Sequence, residues 1–259
     1  MTGLQQKIVL ITGGSGGLGR ALAQAFLRQG CRVVITSRNQ ERLEVAVKKI
    51  NSNGGQLLPV PCDITERRQV AAVEEKIKAE WGTVQILVNN AGLAQAGSFL
   101  EMPDRLWDET LRTNLTGTYN CCKLFLPAMI KSSWGRIINI ASTMAKAAYS
   151  HVSAYTASKH GILGLTRALA LETATLGVTV NAICPGYVDN ERTRANAERM
   201  AEMTGKTVQD VLDLFAKSSP QKRLIAPEEV AGLALFLASD NARGMTGQAI
   251  NVDGGAVMV

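Results

Sequence analysis

The chain has 259 residues, of which 46% are hydrophobic and 19% are charged. These values exclude a disordered chain and fit one large folded domain, which we expect to span residues 1–259. Lysine and arginine outnumber aspartate and glutamate by 28 to 22, but the charges are scattered and aromatic residues make up only 5%. We therefore expect no nucleic-acid partner. We expect no membrane partner either, because no apolar run approaches the ~20 residues of a membrane helix.

The cysteines and the beginning of the sequence indicate the compartment. Five cysteines is an odd number, and their spacing is not that of a metal site. Residues 1–12 contain only a four-residue apolar run, 8–11, which is not the pattern of a signal peptide. We expect reduced core cysteines, no bound metal and a cytoplasmic location.

Strand-like and helical segments alternate along the whole chain. A β-branched run at 7–12 is followed by a glycine-rich turn and a helix that contains Leu18 and ends at Gly30. Further strands are predicted at 32–37, 56–62, 84–89, 135–141, 178–184 and 249–252, and further helices at 40–51, 66–81, 104–130, 152–176 and 227–238. The two prolines in 56–62 favour an edge strand. This alternation predicts an α/β fold: a doubly wound, parallel, seven-stranded sheet of the Rossmann type.

One segment interrupts this alternation. Residues 189–219 are polar, prone to form helix and free of a strand pattern, and they follow the sixth predicted strand. Loops at the carboxyl ends of strands line the ligand crevice of a doubly wound sheet. We therefore expect 189–219 to form a lid over the substrate.

The glycine-rich turn indicates a dinucleotide site. The sequence Thr12-Gly13-Gly14-Ser15-Gly16-Gly17-Leu18-Gly19 ends the first strand and opens the first helix. Glycine permits a positive φ in the turn and lets a pyrophosphate approach the free N–H groups of the helix. A glycine motif placed between a strand and a helix predicts dinucleotide binding.

The end of the second strand bears on the type of cofactor. NAD-binding domains usually carry Asp or Glu there, whereas an arginine accommodates the 2′-phosphate of NADP. This chain has Thr36-Ser37-Arg38-Asn39 and no carboxylate. Arg38 and the Ser37 hydroxyl favour NADP(H), with NAD(H) as the alternative. A simple cap of a surface turn is the other interpretation of Arg38.

A tyrosine and a lysine lie one helical turn apart. Tyr155 and Lys159 are four residues apart in a predicted helix and so share a face. A neighbouring ammonium stabilises the phenolate and lowers the tyrosine pKa, which suits the interconversion of alcohol and ketone. Ser142, at the end of the fifth strand, is placed to hold a carbonyl oxygen. Such a pair also occurs by chance on ordinary helix surfaces.

Taken together, these motifs resemble the short-chain dehydrogenase/reductase superfamily over nearly the whole chain. They occur in the family's order: the glycine motif, Asp63, Asn89-Asn90-Ala91-Gly92, Asn114, Ser142, Tyr155, Lys159 and Pro185-Gly186. Two positions depart from the family pattern. Gly16 stands where NADP-dependent members often have a basic residue, and Asn190 stands where a threonine commonly caps the nicotinamide loop.

The resemblance implies a role for each matching residue. Tyr155 is the acid/base, Lys159 lowers its pKa and binds the nicotinamide ribose, and Ser142 orients the substrate. Asn114 holds a water that links Lys159 to solvent. The implied cofactor residues are Thr12, Gly13, Ser15, Gly17, Leu18, Gly19, Ser37, Arg38, Asp63, Ile64, Asn90, Ala91, Gly92, Tyr155, Lys159, Pro185, Gly186 and Val188. A homotetramer packed through helices 104–130 and 152–176 and the C-terminal strand is also implied.

The substrate is less closely defined. The chain resembles 3-oxoacyl thioester reductases and also bacterial 3-hydroxybutyrate dehydrogenases, but Met144 and Val152 replace the His and Lys with which the latter grip a carboxylate. We expect an NAD(P)-dependent oxidoreductase acting on a ketone or secondary alcohol, with a neutral or hydrophobic ketone or a thioester as substrate. The alternatives are an NAD-dependent 3-hydroxy acid or diol dehydrogenase, and a catalytically silent nucleotide-binding regulator. The expected pocket walls are Leu93, Gln95, Met144, Val152 and Tyr187.

Overall fold

The computed structural model describes residues 2–50 and 55–259, and within them seven strands form one parallel sheet. The strand order is β3-β2-β1-β4-β5-β6-β7, so the predicted doubly wound parallel sheet is confirmed and β3 lies at an edge, as its prolines predict. The strands are β1 (Ile8–Thr12), β2 (Arg32–Ser37), β3 (Leu57–Pro61), β4 (Ile86–Asn89), β5 (Gly135–Ile140), β6 (Val178–Pro185) and β7 (Ala249–Val252).

Helices cover both faces of this sheet. They are α1 (Gly17–Arg28), α2 (Gln40–Ile50), α3 (Arg67–Glu80), α4 (Asp104–Leu111), α5 (Gly117–Lys131), α6 (Ser153–Thr173), α7 (Glu191–Thr204), α8 (Val208–Lys217) and α9 (Pro227–Ala238). The last residue of the predicted helix 40–51 lies outside the described residues.

The strands are mostly apolar because both faces of the sheet are buried. Along β1, Val9 and Ile11 pack in the same cluster as Phe26 of α1, whereas Ile8 and Leu10 belong to the cluster on the opposite face. Alternate side chains of a strand point to opposite faces, so a strand covered on both sides is mostly apolar along its whole length.

The predicted helix 104–130 is interrupted. A π-helical turn, Arg112–Thr116, separates α4 from α5 and contains Asn114. A π turn accommodates one residue more than a regular helical turn, and such turns are frequent at functional sites. The apolar spacing of the sequence is too coarse to detect one extra residue, so the sequence predicts a continuous helix.

The segment 189–219 forms two helices with a core of their own. α7 and α8 pack against each other through Ala197, Ala201, Val211 and Leu212, separately from the clusters on the sheet. Among the described residues, no helix is both long and apolar enough to cross a membrane.

Candidate active site

A cavity of about 910 Å³ lies at the carboxyl ends of the strands. Its walls come from the segments that follow β1, β2, β3, β4, β5 and β6, and from α7 and α8. This is the place where ligands bind in open parallel sheets. The predicted site residues on its walls are Gly13, Ser15, Gly17, Leu18, Gly19, Ser37, Arg38, Asp63, Ile64, Asn90, Ala91, Gly92, Leu93, Gln95, Ser142, Met144, Tyr155, Lys159, Pro185, Gly186, Tyr187 and Val188.

The glycine-rich turn is held close to its neighbours. Gly13 has a φ of +66°, and a Cβ there would meet the Cα of Ala91 at 2.8 Å. A Cβ at Gly19 would collide with the backbone oxygen of Gly13. At Gly16 the nearest atom to such a Cβ is 3.8 Å away, so space alone does not require glycine there. Positions 13 and 19 therefore need glycine, because neighbouring protein atoms occupy the space that a side chain would fill.

Thr12 and Asn90 fix this turn against the end of β4. The Thr12 hydroxyl accepts hydrogen bonds from the backbone N–H of Asn90 at 3.0 Å and of Ala91 at 3.1 Å. The Asn90 amide donates to the carbonyl oxygens of Thr12 at 3.0 Å and Gly13 at 3.1 Å. Thr12 is buried and does not line the cavity, so any effect on a cofactor would pass through the backbone it holds.

The end of β2 gathers hydroxyl and cationic groups. Ser15 donates a hydrogen bond to the Ser37 hydroxyl at 2.9 Å, and Arg38 lines the cavity beside them. Arg42, in the first turn of α2, also lines the cavity and was not predicted from the sequence. The signal available in the sequence was its position in the helix that follows the end of β2.

The structure brings Ser142, Tyr155 and Lys159 together on one wall of the cavity. The Ser142 hydroxyl is close enough to affect the pKa of Tyr155, and Lys159 Nζ lies 5.5 Å from the centroid of the Tyr155 ring. Nζ donates a hydrogen bond to the carbonyl oxygen of Ile140 at 2.8 Å. The serine, the phenol and the ammonium thus lie side by side at the end of β5.

Burial has the largest effect on the pKa values of Tyr155 and Lys159. Burial raises the pKa of Tyr155, and the charge of Arg192 and the Ser142 hydroxyl act against that rise. Burial, reinforced by Arg192, lowers the pKa of Lys159 to about 7. Desolvation penalises the charged form of both groups, and at Tyr155 the charge of Arg192 offsets only part of the rise. The role of Lys159 in lowering the pKa of Tyr155 stays a prediction.

Asn114 lies behind the wall rather than on it. Its amide Nδ2 donates to the carbonyl of Leu93 and to the Ser158 hydroxyl, both at 2.9 Å, and its Oδ1 accepts from the Leu93 N–H at 2.7 Å. Its side chain does not line the cavity. The water-holding role that the resemblance implies for Asn114 stays a prediction.

Aromatic side chains enclose the other end of the cavity. Tyr187 stacks on Phe215 of α8, with ring centroids 4.2 Å apart. Val152, an expected wall residue, does not line the cavity and precedes the first turn of α6. The wall residues missed at this end include Tyr149, Arg192, Asn196, Arg199 and Phe215. The spacing of Arg192, Asn196 and Arg199, which places them on one helix face, was an available signal.

Comparison with known proteins defines the class. The sequence profile of the family described as short chain dehydrogenase matches residues 7–201, so the chain belongs to that family. It is an NAD(P)-dependent oxidoreductase that acts on ketones and secondary alcohols, which confirms the predicted family and reaction class.

Relatives of several names share nearly its full length. The chain is 38% identical to the granaticin polyketide synthase putative ketoacyl reductase 1 of Streptomyces violaceoruber, over 96% of this chain and 93% of the relative. It is 37% identical to the D-beta-hydroxybutyrate dehydrogenase of Rhizobium meliloti, over 96% and 98%. Among solved structures, a tryptophan variant of the actinorhodin polyketide ketoreductase with NADPH aligns with a TM-score of 0.94 at 34% identity, over 99% of both chains.

Proposed function

We propose that this chain is an NADP(H)-preferring oxidoreductase in which Tyr155 exchanges a proton with the oxygen of a ketone or secondary alcohol. The observation that carries the proposal is the convergence of Ser142, Tyr155 and Lys159 in the cavity that also contains the glycine-rich turn. A carbonyl group placed there would meet a hydroxyl donor and a proton donor at once.

The residues present fit a phosphorylated dinucleotide. The glycine-rich turn lines the cavity at the amino end of α1, where the free N–H groups of the helix favour a pyrophosphate. Arg38 and Ser37 would hold a 2′-phosphate, Asp63 the adenine end, and Pro185-Gly186 with Val188 the nicotinamide end. NAD(H) stays as the alternative. The solved ketoreductase with NADPH supports the preference.

The chain's own residues would handle the proton and the developing charge. The bound nicotinamide supplies or accepts the hydride. In the reducing direction, the Ser142 hydroxyl donates a hydrogen bond to the carbonyl oxygen, and the Tyr155 hydroxyl gives its proton to the forming alkoxide. Lys159 in its ammonium form stabilises the resulting phenolate, and its bond to Ile140 keeps the side chain in place.

The walls favour a ketone with an apolar part near the reacting carbon. Met144, Tyr187 and Phe215 supply apolar and aromatic surface beside the three polar groups. A 3-oxoacyl thioester or another hydrophobic ketone fits such walls, and three relatives are named as putative ketoacyl reductases. A 3-hydroxy acid is the second candidate, because a relative 37% identical is named as a D-beta-hydroxybutyrate dehydrogenase.

We also propose that residues 189–219 act as a lid. They contribute Arg192, Asn196 and Phe215 to the cavity wall, and α7 and α8 have their own small core, so the pair can move as a unit. Limited proteolysis with and without NADPH tests this. Protection within 189–219 is expected, and an unchanged cleavage pattern there would contradict a lid.

For assembly and location, we propose a cytoplasmic homotetramer. Leu171 on α6 is 82% exposed and Tyr119 on α5 is 39% exposed, which leaves apolar surface on the two long helices for other subunits to cover. All five cysteines are free and buried, as suits a reducing compartment. Sedimentation velocity should show a particle of four 27.7 kDa chains, whereas a monomer would contradict the assembly.

A nicotinamide absorbance screen tests the function itself. The purified chain is offered NADPH or NADH with a panel of ketones, 3-oxoacyl thioesters and 3-oxo acids, and the oxidised cofactors with alcohols. We expect turnover of at least one hydrophobic ketone or thioester with NADPH preferred. Tight cofactor binding without turnover of any compound would favour the silent regulator instead.

A further inference from the structure

Three polar residues of α7 form a stripe along the cavity wall. Arg192, Asn196 and Arg199 all line the cavity. They are spaced by four and three residues, so they lie on one face of the helix, and seven residues of helix carry the stripe about 10 Å along its axis. We call Arg192 and Arg199 the α7 arginines.

The stripe begins near the proposed reaction centre. The positive charge of Arg192 acts on both Tyr155 and Lys159, which places its guanidinium within electrostatic reach of the two side chains. Arg199 lies two turns further along the helix and has no such effect on them. One arginine is thus close to the reacting groups and the other is further away.

The neighbouring carboxylates are already paired with other groups. Glu191 forms an ion pair with Arg20, and Asp189 forms one with Arg194 at 2.8 Å. Both oxygens of Asp253 accept backbone N–H groups, of Gly255 and Val257, at 2.9 Å.

The remaining acidic residues on the cavity wall lie at the opposite end. Glu41 and Asp63 belong to the segments that follow β2 and β3. Within residues 2–50 and 55–259, neither α7 arginine makes a salt bridge, whereas Arg223 on the same cavity wall is paired with Glu229. The two guanidinium groups therefore face a cavity whose nearby carboxylates are already engaged with other groups.

We propose that the α7 arginines bind an anionic group, a carboxylate or a phosphate, carried by the substrate several bonds away from the reacting carbonyl. This inference rests on the proposed ketone reduction and adds the substrate's charge to it. Met144 supplies apolar surface on the cavity wall, and the stripe on α7 offers positive charge for an anionic group of the substrate. Guanidinium groups suit both anions because they form paired, charge-assisted hydrogen bonds with them.

Two thioesters of the same acyl group test the proposal. Acetoacetyl-coenzyme A carries phosphates far from the ketone, and acetoacetyl-N-acetylcysteamine is neutral. We expect the wild-type kcat/KM with NADPH to be higher for the charged thioester. The variant Arg199→Gln, which leaves the charge of Arg192 near Tyr155 in place, should lower that value about tenfold, with kcat/KM for the neutral thioester and the KM for NADPH unchanged.

Arg194→Gln is the matched control, since Arg194 is on the same helix, does not line this cavity and is already paired with Asp189. This control variant should leave kcat/KM unchanged for both thioesters. An equal fall in kcat/KM for both thioesters, or a raised KM for NADPH, would overturn the proposal. The α7 arginines would then belong to the reaction centre or to the site of the cofactor's phosphates. Turnover of neither thioester by the wild type, together with a failed ketone panel, would overturn the proposed function itself.

Discussion

Asn114 binds the backbone of Leu93 through both of its amide atoms. Nδ2 donates to the Leu93 carbonyl oxygen at 2.9 Å, and Oδ1 accepts from the Leu93 N–H at 2.7 Å. Leu93 lines the cavity, and the same Nδ2 also donates to Ser158, the residue that precedes Lys159. A side chain in the π turn therefore ties the loop after β4 to the helix that carries Tyr155 and Lys159.

Replacing Asn114 with alanine should affect stability and turnover together. The change removes the partner of the Leu93 backbone groups and one of the two partners of the Ser158 hydroxyl, which also donates to the Tyr155 carbonyl oxygen. It should lower the free energy of unfolding by about 2–4 kcal/mol. The loop and the helix would lose their link, so kcat should fall as well. Urea denaturation and steady-state kinetics measure the two effects.

Asn181→Ala is the control for that variant. Asn181 is also buried, and its amide joins the backbone of Met245 and Gln248 away from the cavity wall. The Asn181→Ala variant should have a lower free energy of unfolding and an unchanged kcat. If Asn114→Ala also retained kcat, the role of Asn114 in positioning the site would be wrong.

Arg38→Asp should shift the coenzyme preference toward NAD(H). The substituted carboxylate would repel a 2′-phosphate and accept hydrogen bonds from a free ribose. The ratio of kcat/KM for NADPH to that for NADH should fall, while Arg28→Asp, which makes the same change of charge at the end of α1, should leave it alone. An unchanged ratio in Arg38→Asp would refute the assignment of the 2′-phosphate to this residue.

Lys159→Met should gain stability relative to the wild type as the pH falls. The pKa of Lys159 is about 7 in the folded chain, against ~10.4 for an unperturbed lysine. Between these values the unfolded state binds more protons, so the wild type becomes more stable as the pH rises. The free-energy cost of burying the charged Lys159 is complete below its pKa in the folded chain. It is absent above its pKa in the unfolded chain.

Each unit of pKa shift corresponds to about 1.4 kcal/mol, so the stability gap should widen by several kcal/mol between pH 10 and pH 7. Urea denaturation across that range measures it, with Lys48→Met as the control because Lys48 is exposed. A gap for Lys159→Met that does not change with pH would show that burial does not penalise its charge.

The sheet and most of the cavity could be predicted because their signals are local. Buried β-branched runs mark β1 and β2, and the turn after β1 needs residues without a side chain at Gly13 and Gly19. Tyr155 and Lys159 are four residues apart, and a regular helix necessarily brings such residues to one face.

What could not be predicted depends on contacts between distant segments. The π turn exists where Asn114 meets Leu93, and the bond from Lys159 to Ile140 joins α6 to β5. Arg192 affects the pKa of Tyr155 only because the fold brings α7 and the first turn of α6 to the same cavity. None of these contacts leaves a periodic pattern in the sequence.

The most direct test of the central claim is the turnover of Tyr155→Phe, measured as NADPH oxidation with whichever ketone the panel identifies. The variant keeps the ring and removes the hydroxyl, so NADPH binding, followed by fluorescence titration, should be retained. Loss of the proton donor should reduce kcat at least about a hundredfold. A variant that binds NADPH and turns over within about tenfold of the wild type would contradict Tyr155 as the acid/base.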